Sequence, residues 1–213
     1  MITLYDYELS GNCYKIRLLL SILGIEYTSH TVEFYPAAEH NTDWFQQINP
    51  LRQLPVLLDD NFTLRESQAI LVYLASCYDK SRHWYPTDNP QRLALVSQWL
   101  AFADSITGSA SRARLVEGFF YNFDVEACRT EAHRLFRILD EHLWFNNKQN
   151  QQWIVAGDNP TIADIACFPY IMLSEEGSIS RQDYPAIRRW ADQVKRIPGF
   201  IVMPGIFPAG PAA

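Results

Sequence analysis

The 213-residue chain carries 24 acidic side chains against 18 Lys and Arg, a formal net charge of −6. With 48% hydrophobic and 20% charged residues it has the make-up of a globular protein of one large or two small domains, which excludes global disorder. The acidic balance and the lack of a polybasic run argue against a nucleic-acid binder, yet leave room for a local basic pocket around an acidic small molecule.

Residues 2–6, "ITLYD", read as a short strand. From Asn12 to Leu23 the apolar residues Cys13, Ile16, Leu19, Leu20 and Leu23 recur at helical spacing, and Gly24 supplies a stop. "YTSHTVEF" (27–34) is β-branched and aromatic, so a second strand is expected there. A polar, weakly helical stretch covers about 39–48. Pro55 then opens a strand, Asp59-Asp60-Asn61 marks a turn, and "FTL" returns as a hairpin. "ESQAILVYLASCY" (66–78) is an amphipathic helix. The order is βαβαββα, which suits one small mixed sheet covered by helices.

After Lys80 the character changes. Residues 81–90 are polar and hold Pro86 and Pro90, a linker signature that divides residues 1–80 from 91–213. Beyond it strand signals are few. Helical patterns run through "QRLALVSQWLAFADSITGSASRARLVEGFFYN" and "VEACRTEAHRLFRILDEHLWF", the latter with Ala127, Leu135, Ile138 and Leu139 on one side. "TIADIACFPYIML" and "AIRRWADQVKRI" supply two more. The second half therefore reads as all-α. The tail "MPGIFPAGPAA", with three prolines and two glycines, cannot be helical throughout.

No run of 18 apolar residues offers a membrane span, and "MITLYDYELS" has no leader pattern, so the expected location is the cytoplasm, away from membranes. Cys13, Cys77, Cys128 and Cys167 are scattered without metal-ligand spacing, so free thiols and no metal are expected.

Two short motifs have both a structural and a functional reading. In Gln53-Leu54-Pro55 the proline either merely starts a strand or forms a cis bond that turns the Leu54 backbone toward a ligand. Glu66-Ser67 either starts a helix with an acidic residue in its first turn, or recognises an α-amino acid head group. In the second reading Glu66 meets the ammonium, and Ser67 and the helix N-terminus meet the carboxylate. Thr161 and Asp164 have capping-box spacing, which is folding structure.

Taken together, "LYDYELSGNCYKIRLLL", "NPLRQLPVLLDDNFTLRESQAILVYLA" and "GDNPTIADIACFPY" resemble the cytosolic glutathione transferase superfamily in order and spacing, over essentially the whole chain. Within that superfamily the chain is similar to the theta-like and bacterial branches. The resemblance implies a thioredoxin-like N-terminal domain, an all-α C-terminal domain and a homodimer. Glutathione is implied as co-substrate. It further implies that Ser10 activates the glutathione sulfur, that His40 meets the glycine carboxylate with Gln53 beside it, that Leu54 supplies a backbone clamp, and that Glu66 and Ser67 hold the γ-glutamyl group. From its place in the opening loop, Asn12 ranks behind Ser10 as a second donor to the sulfur. Arg52 departs from the family, where many members have glycine.

The implied reaction is conjugation of the glutathione thiolate to a small hydrophobic electrophile. A free thiol with a pKa near 8.5 is only about 3% ionised at neutral pH. A hydroxyl donor and a helix N-terminus both favour the anion. Ser10 acts as donor and as helix cap in the same fold. Tyr5, Tyr7 and Cys13 rank below it; Tyr7 is expected to border the electrophile pocket and Cys13 to be inert core. The pocket wall is expected from Ala103, Ile106 and Arg112 on the helix after the linker, closed by Phe207. Alternative functions on the same fold are a glutathione-dependent isomerase, a disulfide reductase, a non-catalytic glutathione- or ligand-binding protein, and an interaction scaffold.

Overall fold

The computed structural model describes residues 1–210. At its centre β1 (Ile2–Asp6) pairs parallel with β2 (Thr28–Thr31) and antiparallel with β3 (Val56–Asp59), which pairs in turn with β4 (Phe62–Arg65); the sheet order is β2-β1-β3-β4. Tyr5 stands opposite His30 on one side and Val56 on the other. The parallel pair needs a crossover, and α1 (Gly11–Leu23) provides it. Helix α1 stops at Gly24, whose φ of 65° is the left-handed turn that glycine adopts without strain. A short α2 (Asp43–Ile48) precedes β3, and α3 (Ser67–Tyr78) follows β4. This is the expected βαβαββα order of a thioredoxin-like domain.

Strand β2 ends at Thr31 rather than at residue 34. Val32 turns inward to a small cluster with Cys13, Phe45 and Val56, while Phe34 and Tyr35 leave the sheet for aromatic rings of the helical half, Phe34 stacking on Tyr121 and Tyr35 meeting Phe119 edge-on. Tertiary packing overrides strand propensity here.

The helical half begins with α4 (Pro90–Ile106). Asn89 caps it by accepting from the Arg92 N–H at 3.0 Å, and Pro90 fills the first helical position, where no donor is needed. The long helical pattern does not run through. At Thr107–Ser111 the helix widens to a π turn, with the Thr107 and Ser109 hydroxyls donating back to the Ala103 and Ser105 carbonyls at 3.0 and 2.9 Å. Helix α5 (Arg112–Phe119) then stops at Phe120 in a left-handed turn. Helix α6 (Val125–Lys148) buries Ala132, Leu135, Phe136, Leu139 and Leu143. Ala127 and Ile138, expected on that face, are exposed, because the buried stripe follows 132–135–139–143 around the helix and leaves them off it.

Helix α7 (Ile162–Met172) is buried along its whole length, and α8 (Pro185–Val194) packs on α6 and α7. The capping box at Thr161 and Asp164 is present. The fully buried Asp164 carboxylate also accepts from the Ile154 N–H at 3.0 Å and the Trp190 indole at 2.8 Å. Helices α1 and α3 pack on each other and on α7, so one hydrophobic core runs from the sheet into the helical half. Residues 201–210 are not helical; Met203 and Ile206 form an isolated bridge. Among the described residues no helix is long and apolar enough to cross a membrane.

Candidate active site

A cavity of about 640 Å³ lies between the sheet domain and helices α4 and α5. Two helix N-termini border it. Ser10 is the N-cap of α1, with its hydroxyl oxygen accepting from the Cys13 N–H at 3.2 Å. The Asn12 N–H donates to the Tyr170 hydroxyl at 3.2 Å, and the Tyr14 N–H to the Ser10 carbonyl at 2.9 Å. Several of the amides at this helix start are therefore already paired. The groups left to meet a ligand are side chains, the Ser10 hydroxyl proton and the Asn12 amide nitrogen.

The orientation of that amide follows from its neighbours. Asn12 Oδ1 accepts from Lys15 Nζ at 2.8 Å and lies 3.3 Å from the Ser67 hydroxyl. An ammonium offers donors alone, so the oxygen and not the NH2 faces it.

At the second helix start, Glu66 adopts φ 67° and ψ 117° at the N-cap of α3, an uncommon conformation for a side-chain-bearing residue that turns the chain sharply into the helix. Its carboxylate is exposed. Ser67 is buried beside it and also reaches Gln68, which bonds Asp104 on α4. The Leu54–Pro55 bond is cis, and Leu54 and Gln53 line the same cavity.

His40 is buried on the cavity wall with Nδ1 lacking any hydrogen-bond partner. Burial, with the Arg52 guanidinium nearby, lowers its pKa, so the ring is neutral at neutral pH and has one N–H to give. Its face stacks on Phe34 at 4.0 Å. Phe34 stacks on Tyr121 at 6.4 Å and Tyr121 on Phe123 at 5.9 Å, and the Arg112 guanidinium lies 5.1 Å from the Phe123 ring centroid. This row of near-parallel rings forms one side of the cavity. The loop between β1 and α1 is held from both halves: Arg17 pairs with Asp6 at 2.5 Å and donates to the Glu8 carbonyl, and Arg114 donates to the Leu9 carbonyl at 2.8 Å while pairing with Glu176.

Family models match the chain in two parts. "Glutathione S-transferase, N-terminal domain" covers residues 1–76, and "Glutathione S-transferase, C-terminal domain" covers residues 115–198. The chain belongs to the glutathione transferase superfamily. Glutathione S-transferase verG of Clonostachys rogersoniana is 28% identical over 200 residues, 88% of this chain and 80% of that protein. A glutathione S-transferase structure from Xanthobacter autotrophicus superposes with a TM-score of 0.83 at 28% identity, covering 96% of this chain and 98% of the other. A glutathione transferase homolog from Lodderomyces elongisporus, solved with two GSH per subunit, has a TM-score of 0.80 at 25% identity, covering 93% and 94%.

Of the transferase site residues expected from the sequence, Ser10, Asn12, His40, Gln53, Leu54, Glu66, Ser67, Tyr7 and Arg112 line this one cavity. Ala103, Ile106 and Phe207 do not. Ala103 and Ile106 are each 1% exposed and belong to the core that α4 shares with α7. The cavity face is instead Asp104, Thr107, Gly108 and Ser111, one residue further along and so about 100° around the helix. Gly108 opens on it, with nothing within 4 Å of where a Cβ would stand. Phe207 is 69% exposed on the tail and away from the lining.

Cys13 sits in the small core cluster, with burial pushing its thiol up to about 12, so it is no nucleophile at neutral pH. Tyr5 packs between His30 and Phe45 and does not line the cavity. Sequence reading missed Lys15, Tyr170 and the aromatic row. The signal for Lys15 was a lysine one helical step from Asn12, three residues on, in the largely apolar stretch "CYKIRLLL", which also carries Arg17. The aromatic row left no such mark, since its members are 81 residues or more apart between Phe34 or His40 and the "YNF" loop.

Proposed function

We propose that this glutathione transferase, of theta-like type, conjugates the thiolate of glutathione to a small hydrophobic electrophile, working as a homodimer. The observation that carries the reading is the unpaired donor set of one cavity: the Ser10 hydroxyl proton, the Asn12 amide and the orphaned His40 ring, with the exposed Glu66 carboxylate at its other end. Glutathione is a tripeptide with an ammonium, two carboxylates and a thiol. Glu66 takes the ammonium, Ser67 at the start of α3 takes the γ-glutamyl carboxylate, the Leu54 backbone pairs with the peptide, and the neutral His40 donates to the glycine carboxylate. Arg52, exposed on the cavity rim, adds positive charge near that end. The thiol is left at the start of α1.

There the Ser10 hydroxyl and the Asn12 NH2 donate to sulfur. Both bonds strengthen when the proton leaves, so they lower the thiol pKa without a general base. A shift of about two units requires about 2.7 kcal/mol. The electrophile lies against the Phe34, Tyr121 and Phe123 side, where rings favour an apolar, planar group. The buried, un-ionised Cys13 argues against disulfide exchange as the main activity.

Glutathione binding to Glu66→Ala and Ser67→Ala, followed by calorimetry, tests the assignment. Each change is expected to weaken affinity about ten- to a hundredfold, from roughly 1.5–3 kcal/mol per charged hydrogen bond. Turnover of a generic aryl halide by the unaltered protein separates an enzyme from a binder. Unchanged affinity in both variants overturns the head-group assignment.

A further inference from the structure

Lys15 is a charged group that the preceding reading leaves without a role. It is the fifth residue of α1, just past the first turn, and is 0% exposed. Its ammonium donates to Asn12 Oδ1 at 2.8 Å and lies 5.5 Å from the Tyr170 ring centroid. Among the described residues no carboxylate lies within 4 Å of it. The charged and titratable groups that face it are Asp104 on α4 and Cys167 and Tyr170 on α7; Cys167 and Tyr170 are buried un-ionised, which leaves Asp104 as the one anion, at longer range. Burial draws the Lys15 pKa down to about 8. A cation enclosed in this way is costly unless something beside it uses the charge.

The contact with Asn12 has a directional consequence. Lys15 presents only donors, so it captures the Asn12 oxygen and turns the Asn12 NH2 away from itself. We infer that Lys15 is the positioning residue of the sulfur subsite: it locks the Asn12 amide with Nδ2 toward the bound thiolate and keeps an unpaired positive charge behind it. The inference rests on the glutathione reading of the cavity. Without Lys15 the remaining partner of the amide is the Ser67 hydroxyl, which can donate or accept and so fixes neither orientation, and the Asn12 oxygen can face the sulfur and repel the anion. Tyr170 completes the frame by pinning the Asn12 backbone from α7.

The experiment compares Lys15→Met, which keeps the stem and removes the charge, with Asn12→Ala and the double variant. Lys15→Gln, which keeps an NH2 but loses the charge, is the second variant should the methionine form fail to fold, and the same rise in the thiol pKa is expected of it. Calorimetry with glutathione comes first. If the unaltered protein does not bind it, the glutathione reading falls and takes this inference with it. Given binding, Lys15→Met is expected to raise the pKa of the bound thiol, followed by ultraviolet absorbance against pH, by about one unit. It should lower kcat about tenfold at neutral pH. KM for glutathione should stay within about threefold, and the melting temperature should not fall. In the Asn12→Ala background the same change should have less than a third of that effect, since the lock has nothing left to hold. An unchanged thiol titration in Lys15→Met, or an equal effect with and without Asn12, overturns the inference while leaving the glutathione reading intact.

Discussion

Replacing Ser10 by alanine separates two roles that one hydroxyl plays. Its oxygen accepts from the Cys13 N–H at 3.2 Å and so caps α1, with Ser10 in the extended backbone conformation that N-caps adopt. Loss of a serine cap costs about 1 kcal/mol. In a protein of this size that lowers the melting temperature by about 2–4 °C. Its proton is separate from that bond and is available to the sulfur. A hydrogen bond to a charged partner contributes roughly 1.5–3 kcal/mol, which at 1.36 kcal/mol per unit is about one to two units of thiol pKa. Ser10→Ala is therefore expected to raise the bound-thiol pKa by that amount and to lower kcat at neutral pH about ten- to a hundredfold. Glutathione affinity should change little, because His40, Leu54, Glu66 and Ser67 remain. Ser10→Thr retains acceptor and proton and should restore both observables. The assays are thermal melting, absorbance of the bound thiolate against pH, and conjugation of an aryl halide. A melting temperature that falls while titration and rate stay unchanged would refute the donor role and leave Ser10 a cap, with Asn12 as the remaining donor.

Three further outcomes are expected. Asp164→Ala strands three buried donors, the Ile154 and Thr161 amides and the Trp190 indole, at about 1 kcal/mol or more each; differential scanning fluorimetry should show a drop of about 6 °C or more, and one below 2 °C contradicts the account. Burial draws the Lys15 pKa down to about 8, below its ordinary value of about 10.4 when unfolded, so between those values this group holds more proton in the unfolded chain and its own contribution to stability rises with pH. The buried Cys13 and Cys167 thiols, raised by burial, act in the opposite sense over the same range, so the test is the difference. Between pH 8 and 10 urea titrations should show stability changing less favourably with pH in Lys15→Met than in the unaltered protein, and equal slopes remove the buried-cation argument. Analytical ultracentrifugation at micromolar concentration should give the mass of two chains, and a monomer mass contradicts the homodimer.

Much of the fold could be read from periodicity and punctuation. The apolar spacing from Cys13 to Leu23 with Gly24 after it located α1 to within one residue, and Asp59-Asp60-Asn61 located the hairpin of β3 and β4. The readings that failed depended on partners distant in sequence. Nothing local in "TVEF" says that Phe34 will leave the sheet for Tyr121. The spacing of α4 is compatible with a core face through Ala103 and Ile106, but only its packing on α7 decides that Asp104, Thr107 and Gly108 are the side that meets the cavity. Unbroken helical composition also hides the π turn at Thr107–Ser111, because serine and threonine back-bonding leaves apolar spacing unchanged. Glu66 and Ser67 were legible by a local rule, a helix start directly after a strand, whereas Ser10 and His40 are identified as ligand residues only by resemblance to the family; all four line the same cavity.

Gly11 bears on how this architecture can be rearranged. A Cβ at that position would stand 2.8 Å from Cε1 of Tyr170, the residue whose hydroxyl takes the Asn12 amide proton. The first turn of α1 and the last turn of α7 therefore meet with no room for even a methyl group between them. Recombination that joins the sheet half of one relative to the helical half of another must keep this pair matched. A small residue on one side without the ring on the other leaves a gap and an unpaired amide beside the loop, and the ring without the small residue pushes the halves apart. The seam between the two halves therefore has to be exchanged as a unit, although the residues that form it are 159 positions apart.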